Sequence, residues 1–113
     1  MAIGKTPVIY AGDTSDVWEV GHRLTETDEL ADLDENYSCR LDIMESESFA
    51  ARPVTDKNAG NTRFRASLTP AETLALGEGV WTVGIEISNP TTSPPLVKEV
   101  HRRIRIAPQA VTD

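Results

Sequence analysis

The chain of 113 residues is poor in the side chains that most often carry chemistry: it has one cysteine, two histidines, and two each of tryptophan, tyrosine and phenylalanine. Each scarcity excludes something. Cys39 has no partner for an internal disulfide, and no cysteine-based zinc cluster can form within one copy. In "NYSCRLDI" it alternates with Tyr37, Leu41 and Ile43, which reads as a small buried hydrophobe and not as an activated thiol. His22 and His101 lack any companion at ligand or triad spacing, so both read as surface histidines beside strand charges. Aromatics make up 5% of the chain, so the core must be built from Val, Ile, Leu and Ala, with Trp18, Tyr37, Phe64 and Trp81 as anchors. No apolar run approaches the roughly 18 to 20 residues of a membrane span. The opening "MAIGKTPVIYAGD" lacks the apolar core of a secretory signal, which suits either a cytosolic protein or one assembled in the cytosol.

What is present describes a single domain over 1–113, long enough to bury a core without metals or disulfides. The residues from 108 to 113 are expected to form a loose tail. Several segments alternate apolar and polar residues with period two, the pattern of half-buried strands. These are "TPVIYAG", "VWEV", "YSCRLDIM", "RFRASL", "VWTVGIEIS" and "LVKEVHRRIRIA". Between the third and fourth, "SESFAARPVTDKNAGNT" reads as a wide hairpin connection, with Pro53 discouraging a central strand. About seven short strands without a βαβ rhythm predict an all-β, antiparallel, immunoglobulin-like sandwich. A small closed barrel is the structural alternative.

One short helix interrupts this pattern, over 70–76 in "SLTPAETLALGEGVW". Thr69 is suited to the N-cap, Pro70 to the first helical position, and Glu72 to the carboxylate place of a capping box. Gly77 fits the position that ends the helix. Leu68, Leu74 and Leu76 are expected to pin the corner against the sandwich. Glu72 is therefore a structural cap, and no catalytic residue is assigned anywhere. "DLDENYSCRLDI" begins like a calcium loop but has Tyr37 and Ile43 where an EF-hand needs glycine and glutamate. An irregular calcium site from Asp28, Asp32 and Asp34 is the residual metal candidate. No other metal or cofactor is expected.

The net charge of −7 is unevenly spread, with twelve acids against two arginines between residues 13 and 49. The C-terminal segment is basic, with Lys98, Arg102, Arg103 and Arg105. Without interleaved aromatics this balance argues against nucleic acid as a partner. The basic set is expected to pair with the acidic stretch 26–35, either within the chain or between copies. Thr82, Glu86, Lys98, His101, Arg103 and Arg105 form the candidate interaction surface.

The order "AGDTSDVWEV", "ADLDENYSCRLDI", "FRASLTPAETLALGEGVWTVGIEI" and "EVHRRIRI" resembles the small immunoglobulin-like β-sandwich proteins of tailed bacteriophages and prophages. These include the amino-terminal domain type of baseplate upper proteins. The family's corner motif matches at Leu68, Thr69, Glu72, Thr73, Leu76 and Gly79, with Trp81 near the place of a tyrosine. The resemblance spans roughly residues 8 to 107, and "SESFAARPVTDKNAGN" is an insertion relative to it. It implies a non-enzymatic virion protein, tail- or baseplate-associated and assembled in the bacterial host cytoplasm. Such a protein packs against other virion proteins and copies of itself. Two rivals from other classes are a carbohydrate- or cell-surface-binding sandwich, which needs exposed aromatic platforms, and a hydrolase or lyase, which needs a pocket with paired carboxylates.

Overall fold

Alternation becomes two sheets in the computed structural model, which describes residues 6–109. In chain order the elements are β1 (Val8–Tyr10), β2 (Trp18–Val20), β3 (Ser38–Ile43), β4 (Arg52–Pro53), β5 (Phe64–Ala66), α1 (Pro70–Leu76), β6 (Gly79–Asn89) and β7 (Leu96–Ala107). The larger sheet has the order β1-β7-β6-β3-β4, and β2 pairs with β5 in a second sheet of two strands. The protein is thus mostly β, with one short helix. Residues 1–5 and 110–113, including most of the expected tail, lie outside the described residues.

The frame of the larger sheet is the β6–β7 hairpin, in register from Gly79↔Ile106 to Asn89↔Leu96. Its connection is the proline-rich "PTTSPP". Asn89 organises that turn, its side-chain oxygen accepting from both the amide and the hydroxyl of Thr91 at 2.9 and 2.6 Å. β3 pairs antiparallel with β6 from Ser38↔Ser88 to Ile43↔Val83. Odd-numbered residues of β3 and β6 therefore face inward, and Leu41, Ile43, Val83, Ile85 and Ile87 are buried with Ile104 and Ile106 of β7. The small sheet supplies the opposite wall. Its register Trp18↔Ala66 and Val20↔Phe64 puts these four side chains against the same core. Close approach of the two chain segments beyond the β2–β5 pair decides one residue: a Cβ on Gly21 would stand 2.5 Å from the Thr62 carbonyl oxygen, which only glycine avoids.

Two features depart from the expectation drawn from the sequence. β1 runs parallel to β7, with Val8↔Arg105 and Tyr10↔Ala107, so the larger sheet is mixed and not wholly antiparallel. Residues 52 and 53 also form an edge strand, pairing Arg40↔Pro53 and Leu41↔Arg52. Proline is compatible with that place because its missing N–H faces no further strand.

The helix forms where the local spacing predicts it. The Glu72 amide donates to Thr69 Oγ1 at 3.2 Å and the Thr69 amide donates to Glu72 Oε1 at 2.9 Å, closing the capping box. Gly77 ends it at φ 79°, in the left-handed region. The apolar pinning differs from expectation: Leu68 is buried and Leu76 packs on the core, but Leu74 is 58% exposed. Thr73 takes the buried place instead. Its hydroxyl donates to the Asp13 carbonyl at 2.8 Å and accepts the Gly12 amide at 3.0 Å, tying the helix to the turn after β1. Ser15 makes a second tie, with its Oγ accepting the Leu68 amide at 2.7 Å.

Candidate functional site

Even-numbered residues of β3 and β6 and odd-numbered residues of β7 point away from the core, and their rows form the outer face of the larger sheet. Along the strands the rows are Ser38–Ser88–Val97, Arg40–Glu86–Glu99, Asp42–Gly84–His101, Thr82–Arg103 and Val80–Arg105. β1 extends the last row with Val8 beside Arg105 and adds Tyr10 beside Ala107. Eight large apolar side chains are exposed among the described residues. Five of them, Val8, Tyr10, Met44, Val80 and Val97, belong to this face.

The face is electrically graded. At one end Glu86 and Glu99 stand directly opposite each other in register. Arg40 flanks Glu86, and His101 Nε2 lies 2.8 Å from Glu99 Oε1. Gly84 floors a small hollow of about 180 Å³ here, walled by Arg40, Asp42, Met44, Glu86 and Glu99. At the other end are Arg103 and Arg105, which join no ion pair among the described residues. Glu45 caps the ladder between the two ends, accepting the Thr82 amide at 2.7 Å and the Thr82 hydroxyl at 2.6 Å. The Thr82 hydroxyl bond first, then the amide bond, hold its carboxyl below the usual range, aided by the positive charge of Arg103.

Five of the six residues expected on an interaction surface are brought together here: Thr82, Glu86, His101, Arg103 and Arg105. Lys98 is not. Pairing with Ile87 puts it on the inward side of β7, beyond the end of the core, where its Nζ donates to the Gly21 carbonyl at 2.8 Å. Pairing of the basic set with residues 26–35 inside the chain is likewise corrected. That acidic stretch is held on the side of the small sheet by the Arg23↔Leu30 bridge and by the Leu33 amide donating to Asn61. Arg103 and Arg105 project from the outer face of the larger sheet, and among the described residues no basic residue of β7 forms an ion pair with residues 26–35.

The calcium candidates do not converge. Asp28 stands 4.0 Å from Arg23, Asp32 accepts from the Asn61 side chain at 3.0 Å, and Asp34 accepts the Asn36 amide at 2.9 Å as a turn-former. Among the described residues no group of three His, Cys, Asp or Glu side chains is placed to hold a metal ion.

Glu72 has a partner that spacing could not reveal. Arg52 Nε donates to Oε2 at 2.7 Å, Arg52 Nη2 donates to Oε1 at 2.9 Å, and Nη2 also reaches the Ser67 carbonyl at 2.6 Å. Burial alone would raise the Glu72 carboxyl, but the Arg52 bonds and the Thr69 amide outweigh it and hold the group below its ordinary value. An apolar cleft of about 310 Å³ lies beside it, lined by Phe49, Ala71, Ala75 and Leu76 among others, with Glu72 as its single titratable group. A carboxylate fixed as an anion with both oxygens occupied is a poor proton donor. Cys39 is equally unsuited to nucleophilic work: burial, with a smaller push from Glu86, raises its thiol to about 11.

Fold and face together define a mostly β domain of two packed sheets whose larger sheet shows a mixed apolar and charged outer surface. Compared with known proteins, the chain matches no family model, and no curated protein matches it. Among the described residues no helix is long and apolar enough to cross a membrane.

Proposed function

We propose that this chain is an immunoglobulin-like structural component of a tailed-phage or prophage particle, tail- or baseplate-associated. It acts by packing against other virion proteins and copies of itself, without catalysis. The observation that carries the packing role is the outer face of the larger sheet, where five exposed apolar side chains sit among charges of both signs. Gathering five of the eight exposed large apolar side chains on one sheet face favours a contact surface for protein over a purely solvated one.

The immunoglobulin-like part of the reading is supported by how the strands divide. The second and fifth strands share one sheet, while the third, sixth and seventh share the other, as in that sandwich, with β1 and β4 here added to the larger sheet. The corner before β6 adds a further trait. Trp81 Nε1 donates to the Gly77 carbonyl at 3.1 Å, in the manner of the tyrosine that bonds to backbone a few residues upstream at this corner. The phage part rests on the resemblance of the corner motif and its flanking strands. The carbohydrate-binding alternative is less well supported, because Trp18 and Trp81 both pack against the core.

The test is the location of the protein. Mass spectrometry of particles purified from a bacterial host carrying the gene should find the chain in stoichiometric amounts with tail proteins. Its absence from particles that contain their other tail proteins would sink the reading.

A further inference from the structure

The charge gradient of the outer face suits a second copy of the same face. Glu86 and Glu99 are like charges in direct cross-strand opposition, an arrangement that is unfavourable unless a cation lies between or beside them. Arg40 and His101 attend them from the flanks, and neither Glu86 nor Glu99 pairs with a lysine or arginine among the described residues. Arg105 has the complementary need, lying between Val8 and Val80 on the same face and joining no ion pair among the described residues.

We propose that two copies associate through this face about a two-fold axis lying across the strands at Val83 and Arg102, which places Arg105 of each copy on the Glu86–Glu99 pair of the other. The inference rests on the self-association part of the function proposed above and fixes its geometry. The register supplies the match. Val83 pairs with Arg102, so an axis there relates Glu99 to the partner copy's residue 105 and Glu86 to its residue 80, next door. The same rotation sets Val97 over the partner's residue 107, beside Tyr10. Apolar side chains thus meet at both ends of the contact.

The alternative two-fold, running along the strands between β6 and β7, would lay Glu86 on the partner's residue 99 and bring acid against acid. Like-charge juxtaposition across an interface is strongly unfavourable, so the gradient selects the antiparallel arrangement. A two-fold contact uses each ion pair twice, which makes the arrangement sensitive to single charge reversals.

Sedimentation equilibrium of the purified full chain over a concentration series is the test, with far-UV circular dichroism to verify folding of each variant. The wild type should be a dimer. Arg105→Glu and Glu99→Arg, both changes of exposed side chains, should each raise the dimer dissociation constant by about 100-fold or more. The double variant should recover at least most of that loss, because each reversed charge again finds its opposite. A monomeric wild type, a dimer indifferent to Arg105→Glu, or a double variant no tighter than the single ones would each overturn the proposal. Particle location separates this from the broader reading: a monomer found in virions defeats the dimer alone, and a dimer absent from virions defeats the virion role alone.

Discussion

Arg52 and Glu72, twenty residues apart in sequence, meet through a two-pronged contact in which each prong is shorter than 3 Å. The same carboxylate closes the helix cap on the Thr69 amide. One side chain therefore joins the edge strand β4 to the start of α1, and the corner depends on it twice.

Glu72→Ala should lower the unfolding free energy by about 2 to 3 kcal/mol, combining loss of a cap with loss of charge-assisted hydrogen bonds. Arg52→Ala should be milder, since the cap survives it. A double-mutant cycle by urea denaturation should show a coupling of about 1 to 2 kcal/mol between the two. Independent, additive effects would show that the contact contributes little.

The same carboxylate predicts a pH dependence. Its folded-state value is depressed below the ordinary 4.5, so the stability it supplies is complete above the unfolded value and is lost as pH falls through the folded one. The stability gap between wild type and Glu72→Gln should therefore be constant near neutrality and shrink below about pH 4.5. Urea midpoints measured at several pH values would check this, and a gap that widens on acidification would contradict it.

Thr73 should behave as a core residue despite its hydroxyl. Thr73→Val keeps the shape but leaves the Gly12 amide and Asp13 carbonyl without their partner, at a cost of about 1 to 3 kcal/mol. Thr73→Ser should cost less, retaining the hydroxyl. Thermal melts of the two variants should rank in that order.

Cys39 should be silent in the native state. With its thiol pushed up to about 11 and its side chain buried, reaction with a disulfide reagent at pH 8 should be slow when folded and fast in denaturant. Native-state modification at the rate of a free thiol would place Cys39 at the surface.

Legibility in the sequence followed the range of the interactions involved. The capping box was readable because Thr69, Pro70 and Glu72 act within one turn. Six strands were readable because their period is two, which also sorted inward from outward residues correctly on β6. Charge groups Lys98 with His101, Arg103 and Arg105, and the period of two along β7 separates it from them. β4 escaped notice because two residues cannot display a period and one of them is proline. Leucine was expected to anchor the helix more fully than it does, since hydropathy alone does not show that buried Thr73 meets two polar backbone groups. The Arg52–Glu72 contact and the parallel β1–β7 pairing had no local signature, as both join distant parts of the chain.

That parallel pairing has a kinetic meaning. β1 is the first strand among the described residues, and its strand partner there is β7, the last of them. Closing so large a loop is entropically costly and adds to the mean sequence separation of contacts, which slows folding. On the ribosome, the first strand must wait for β7 to emerge before it has a ladder to join. The β6–β7 hairpin, adjacent in sequence, is the natural nucleus, and β1 should be the strand that docks late.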